Sequence, residues 1–178
     1  DGSKYFFIFD QDTIILPKFF LVKESITNHL NKDMHTMVQL QSNTNIAKQR
    51  TAYLNHPAFI INSGSIVNIN LLNKIGGFPK NFFVDGVDYF ISLMSNINGL
   101  KVGFLGGDFG LDHTTIQGDS YISIFGRNFP IRFYGWERIK DVSSSYIKLF
   151  GICLKYLKFK HFLILSKFLF LFYIKNIL

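Results

Sequence analysis

Asp10 and Asp12 stand one residue apart in "YFFIFDQDTIILP", at the end of a run of apolar residues. Extended residues i and i+2 project to the same side of the chain, so both carboxylates could present their oxygens to one centre. That is a place for a hard divalent cation, Mg2+ or Mn2+, rather than zinc, since no cysteine cluster competes. A buried strand also ends in Asp simply where the chain leaves the core, and Thr13 and Pro17 suit such an exit. The continuously apolar strand points to a parallel sheet covered on both faces, and such sheets bind ligands beyond their carboxyl ends.

A second pair of acids, Asp85 and Asp88, lies in "FFVDGVDYFISLM". Val87, Phe90, Ile91 and Met94 recur at i, i+3, i+4 and i+7, which predicts a helix from about Gly86 to a stop at Gly99. Both acids then sit at its N-terminus. They can form a capping pair that needs no function, although a helix N-terminus also points its amides toward anions. His113 follows in the glycine-rich "GGDFGLDHTTIQGD"; taken alone, it reads as a hydrogen-bonded structural histidine.

Around these residues the pattern is of alternating strands and helices. Pro17 suits a first helical turn, and Phe19, Val22, Ile26 and Leu30 continue at helical spacing. A strand is expected around Met37 to Leu40, then a loop through "QSNTNIAKQRTAYLNHP". In "AFIINSGSIVNINLLNKIGGFP" an apolar strand is interrupted at Ser63-Gly64-Ser65 and followed by a short helix closed by Gly76-Gly77. A glycine inside a strand marks a bulge or a close approach of backbone to ligand. Lys101 to Leu105 reads as a further strand.

The 178 residues are enough for one compact domain, and 48% apolar content excludes a disordered chain. The chain opens on Asp1 with no signal peptide ahead of it, the expectation for a fragment or a processed piece. Its single cysteine, Cys153, cannot form an internal disulfide and is expected to be inert packing, which fits a reducing compartment. The net charge of +7 is concentrated late, because no acidic residue follows Asp141. Lys148, Lys155, Lys158, Lys160, Lys167 and Lys175 are instead spread among Phe, Leu, Ile and Tyr. Basic charge interleaved with bulky apolar groups suits a membrane surface and no nucleic acid. No uncharged stretch there reaches the about 20 residues a bilayer span requires.

Taken in order, "FIFDQDT", "INSGSIVN", "LLNKIGGFPKNFFVDGVDY", the His of "LDHTTIQGD" and "RFYGWER" resemble the rhamnosyltransferase-like branch of glycosyltransferase family 2. The resemblance covers roughly residues 4 to 138. It implies an α/β, GT-A-like (Rossmann-like) mixed sheet with flanking helices over residues 1–141, and a basic-apolar helical tail over 142–178. The family's base- and ribose-binding strands precede the D-x-D, so the domain is expected to be incomplete at its N-terminus.

The resemblance further implies inverting transfer of a sugar from a nucleotide-diphosphate donor, such as dTDP-rhamnose, to a saccharide or lipid-linked acceptor at the cytoplasmic face of a membrane. Asp10 and Asp12 take the positions that hold the metal and the donor diphosphate. Ser63 and Gly64 take those lining the acceptor side, Asp88 that of the general base with Asp85 beside it, and His113 that of a histidine near the metal. The chemistry needs both clusters, since a carboxylate must take the proton of the attacking hydroxyl and a metal must offset charge on the leaving diphosphate. Where the family commonly carries Glu and Arg, this chain has Phe90 and Met94, so part of the polar network is absent.

Two other readings stay open. Haloacid dehalogenase-like phosphatases also begin with an apolar strand ending in D-x-D, followed by a Ser after a strand, a Lys and G-D-x-x-x-D. Ser63, Lys101 and Gly107 to Asp112 could supply these, with Asp10 as the nucleophile. The usual Gly-Thr after the second Asp is replaced here by Thr13 directly. The third reading is an inactive, membrane-associated glycosyltransferase remnant.

Overall fold

The alternation in "HTMVQL" divides the sheet into two faces. In the computed structural model, which describes residues 4–10, 13–30, 34–41, 53–61, 63–82, 86–113, 120–124, 127–131 and 134–177, this segment forms β3 (His35–Leu40). It sends Val38 and Leu40 into one buried cluster and Met37 into another. Strand geometry requires this, because successive side chains leave opposite faces. Ile66 and Val67 of β5 (Ser65–Asn68) divide the same way. So do Phe7 and Phe6 of β1 (Tyr5–Ile8). The uninterrupted greasiness of β1 is thereby explained, since both faces of the sheet are covered.

The chain divides into two compact units, Asp1–Lys80 with Val87–Thr114, and Asn81–Gly86 with Thr115–Leu178. In the first, a five-stranded sheet has the order β1-β5-β3-β6-β4, where β4 is Tyr53–Asn55 and β6 is Lys101–Gly106. Only β3 and β6 pair in parallel; β1–β5, β3–β5 and β4–β6 are antiparallel. The sheet is therefore mixed, as the resemblance implied, and not the parallel one that the apolar run of β1 pointed to; β1 is a half-buried strand at the end of that order. A separate ribbon joins β2 (Thr13–Ile15) to β7 (Leu111–His113).

Helix α1 (Pro17–Leu30) covers one face with Phe19 and Ile26, next to Phe109 and Leu111. The opposite face is covered by Leu72 of α2 (Ile69–Lys74) and Ile91 of α3 (Val87–Ile97), packed on Met37, Val67 and Val102. Each such fully buried side chain is worth about 1.5–3 kcal/mol relative to exposure. Two sequence signals fix the helix ends. Asn68 caps α2 by accepting a hydrogen bond from the Leu71 N–H at 3.1 Å. Gly99, at φ 69°, lets the Leu100 N–H return to the Ser95 carbonyl at 2.8 Å, closing α3 and burying Leu100.

Two expectations change. Residues 58–61 form no strand, and the strand begins only after Gly64, at Ser65. Of the expected loop, residues 42–52 lie outside the described residues, while Tyr53–Asn55 pairs with β6. Long-range pairing there overrides a segment without strong period.

The second unit holds the hairpin β8 (Ser120–Ile124) and β9 (Arg127–Ile131), followed by α4 (Trp136–Lys155) and α5 (Phe159–Ile177). Val142, Ser145, Tyr146, Leu149 and Cys153 form the buried stripe of α4 at helical spacing. Phe150 meets Phe162 at 4.7 Å near one end, and Ser143 Oγ is hydrogen-bonded to the Tyr173 hydroxyl near the other. The helices therefore run antiparallel. Helix α4 already begins at Trp136, ahead of residue 142 where the tail was expected to start. No described helix is long and apolar enough to cross a membrane.

Candidate active site at the carboxyl edge of the sheet

Strand register decides which candidate residues can meet. Ile8 pairs with Ser65, Ser65 with Gln39, and Gln39 with Phe104, so these four form one row across the sheet. Because β1, β3 and β6 run in the same direction, the next residues of each emerge at one edge. Asp10 leaves β1 there, Gln41 leaves β3, Gly107 and Asp108 leave β6, and Ser63-Gly64 enter β5. Helix α3 reverses through Asn98–Leu100 into β6, which returns its N-terminus, with Asp88 in the first turn, toward that same edge.

Asp10 is positioned by an aromatic stack. Phe9 lies 6.1 Å from Phe7 in parallel and 5.5 Å from Phe19 edge-on. Asp10 itself is exposed, and its carbonyl accepts the Thr13 N–H at 3.0 Å. That bond ties the backbone of Asp10 to the first residue of β2. Asp12 lies outside the described residues. Thr13 in turn pairs with His113 across the β2–β7 ribbon, which brings the backbone of His113 beside the residue bonded to the Asp10 carbonyl.

The Ser63-Gly64 pair enters β5 through a left-handed turn, Gly64 having φ 64°. The Gly64 carbonyl accepts the Leu40 N–H at 2.9 Å, and Ser63 is buried. Asp88 is half-buried, where an acid in a first helical turn is favoured by the helix dipole. Its neighbour Tyr89 meets Phe59 edge-on at 5.3 Å, and Ser92 Oγ accepts the Ile60 N–H at 3.3 Å. The segment leading to Ser63 is thus strapped to the helix that carries Asp88. Asp85 lies outside the described residues.

Sequence reasoning missed the braces of this edge. Gln39 Oε1 accepts the Ile61 N–H at 3.2 Å, and Gln41 Oε1 accepts the Gly107 N–H at 3.0 Å. The signal was two glutamines at alternate positions where an apolar strand ends. Asp108, which the phosphatase pattern uses, is tied to Lys18 Nζ at 2.7 Å and accepts the Gly110 N–H at 3.2 Å. Lys101 opens β6 and pairs with His35 at the opposite edge, roughly 16 Å along the strands from the level of Asp10 at about 3.3 Å per residue.

Among the described residues no group of three His, Cys, Asp or Glu could hold a metal ion. The one carboxylate described in the D-x-D is an exposed oxygen donor of the kind a hydrated hard cation takes. No protein-family model, no curated protein and no solved structure matches this chain. The fold class is a mixed α/β structure, with a mixed sheet flanked by helices.

Proposed function

We propose that this chain is the catalytic part of an inverting, rhamnosyltransferase-like glycosyltransferase that uses a nucleotide-diphosphate sugar and Mg2+ or Mn2+. The observation carrying this reading is the shared row Ile8–Ser65–Gln39–Phe104, which gathers the exits of Asp10, Ser63-Gly64 and the Gly107 loop at one edge. Asp10 and Asp12 hold the metal, which supplies positive charge against the leaving diphosphate. Asp88 accepts the proton of the acceptor hydroxyl as that oxygen attacks the anomeric carbon. Buried Ser63 and left-handed Gly64 shape the acceptor side as a fixed turn. The acceptor is a saccharide or lipid-linked glycan met at the cytoplasmic face of a membrane.

The phosphatase reading places Lys101 beside Asp10, a placement β6 opposes by holding that lysine at the far edge. One experiment separates the two. Incubating the intact protein with Mn2+, a nucleotide-diphosphate sugar and acceptor glycans should release nucleoside diphosphate, and Asp88→Asn should remove that release. Covalent labelling of Asp10 by beryllofluoride, without sugar transfer, would reverse the assignment.

A further inference from the structure

The turn between α4 and α5 is built against the ordinary preferences of a soluble hairpin. The Lys158 N–H returns to the Cys153 carbonyl at 2.8 Å, closing α4, and the residue in the left-handed position is Leu157 at φ 53°. Glycine or asparagine normally fills that position, because a leucine there strains the backbone. Leu157 is 72% exposed, so packing within the protein does not repay the strain. Leu154 at 54%, Phe159 at 60% and Leu163 at 68% stand round the same turn, with Tyr156 also exposed. Four large apolar residues and a tyrosine are thus gathered at one tip, above the buried Cys153 and His161.

Charge names the occupant. Lys155, Lys158 and Lys160 ring the turn, and no acid follows Asp141 in the sequence to neutralise them. An apolar tip with a collar of ammonium groups complements a bilayer whose headgroups are anionic phosphodiesters: the side chains enter the acyl boundary while the lysines stay among the phosphates. A water-soluble partner protein would have to offer an apolar pocket and an acidic rim together. Trp136 stands at the other end of α4, roughly 30 Å from the turn, so a tip-first contact leaves it in water.

We infer that the Leu154–Leu163 tip of this helical hairpin is a membrane anchor that inserts turn-first into an anionic lipid surface. The inference is independent of which reaction the first unit carries out. Its test reads lipid binding, not activity.

The intact protein should cosediment with vesicles containing phosphatidylglycerol, far less with pure phosphatidylcholine, and less as salt is raised. Changing Leu154, Leu157 and Phe159 together to Ser should weaken this by about tenfold or more. Lys155, Lys158 and Lys160 changed to Gln should abolish the preference for anionic lipid. Leu157→Asn should raise the melting temperature by relieving the backbone and yet weaken binding, a combination that damage to the fold cannot produce. Trp136→Ser should bind as the unaltered protein does. Equal binding by the triple-Ser protein, loss on changing Trp136, or a tip-dependent dimer that does not bind vesicles would each overturn the inference.

Discussion

The Gln41 side chain spans the edge of the sheet and accepts the backbone N–H of Gly107 at 3.0 Å. A side chain from β3 thereby holds the first residue after β6, and with it the loop that leads to β7. Gln41→Ala leaves that part-buried N–H unsatisfied and should cost about 1–2 kcal/mol of stability, measured by urea unfolding. If the edge is the active site, the same change should weaken nucleotide binding, although Gln41 is given no chemistry of its own.

Gly110 and Gly99 make a matched pair for separating strain from crowding. Both have positive φ, 71° and 69°. A Cβ on Gly110 would stand 2.8 Å from the Phe19 backbone nitrogen, whereas one on Gly99 meets nothing within 4 Å. Gly99→Ala should cost about 1–2 kcal/mol from backbone strain alone. Gly110→Ala should cost about 2–4 kcal/mol, since α1 must also be pushed from the Gly107–Gly110 loop. Equal losses in chemical denaturation would show that the loop yields freely.

The two acids assigned to catalysis should fail differently. Asp10→Asn is an exposed change and should leave the melting temperature alone while lowering affinity for the Mn2+–nucleotide complex on the order of tenfold, read by calorimetry. Asp88→Asn should retain that affinity and lower turnover by about 10²–10⁴-fold. Identical effects of both on binding would refute the division of labour.

His161 gives the second unit a pH signature. Burial, and then the charges of Lys158 and Lys160, lower its pKa below the ordinary 6.5. The unfolded chain therefore takes up the proton first as pH falls. Stability is fully present above about pH 6.5 and is lost as pH drops from there toward the lowered folded value. Thermal unfolding of the intact protein between about pH 7.5 and about pH 5 should show this slope, and His161→Leu should flatten it.

How far the sequence could be read depended on the range of the interaction involved. Helices α1 and α3 follow from local signals, Pro17 and the Phe19–Val22–Ile26 spacing for one and the Gly99 stop for the other. Strands β3 and β6 were likewise visible as short apolar runs. The antiparallel placement of β5 between β1 and β3 was not, because strand order is set by packing across the chain and no residue type encodes it. The mixed sheet that the resemblance implied is what forms, and only the parallel sheet read from the apolar run of β1 gives way. The rule that ligands gather beyond the carboxyl ends nevertheless still picks out the edge reached by Asp10. That the tail is helical was expected, but its start at Trp136 and its break between Lys155 and Phe159 were not.

Cys153 lies beneath the α4–α5 turn, 1% exposed, and burial pushes its thiol pKa up. As the only cysteine of the chain, it can act as a clock for the hairpin. A thiol reagent such as Ellman's can reach it only when α4 and α5 part, so the labelling rate counts openings. Lipid that holds the tip should slow the clock, and Gln41→Ala in the other unit should leave it running at the same pace.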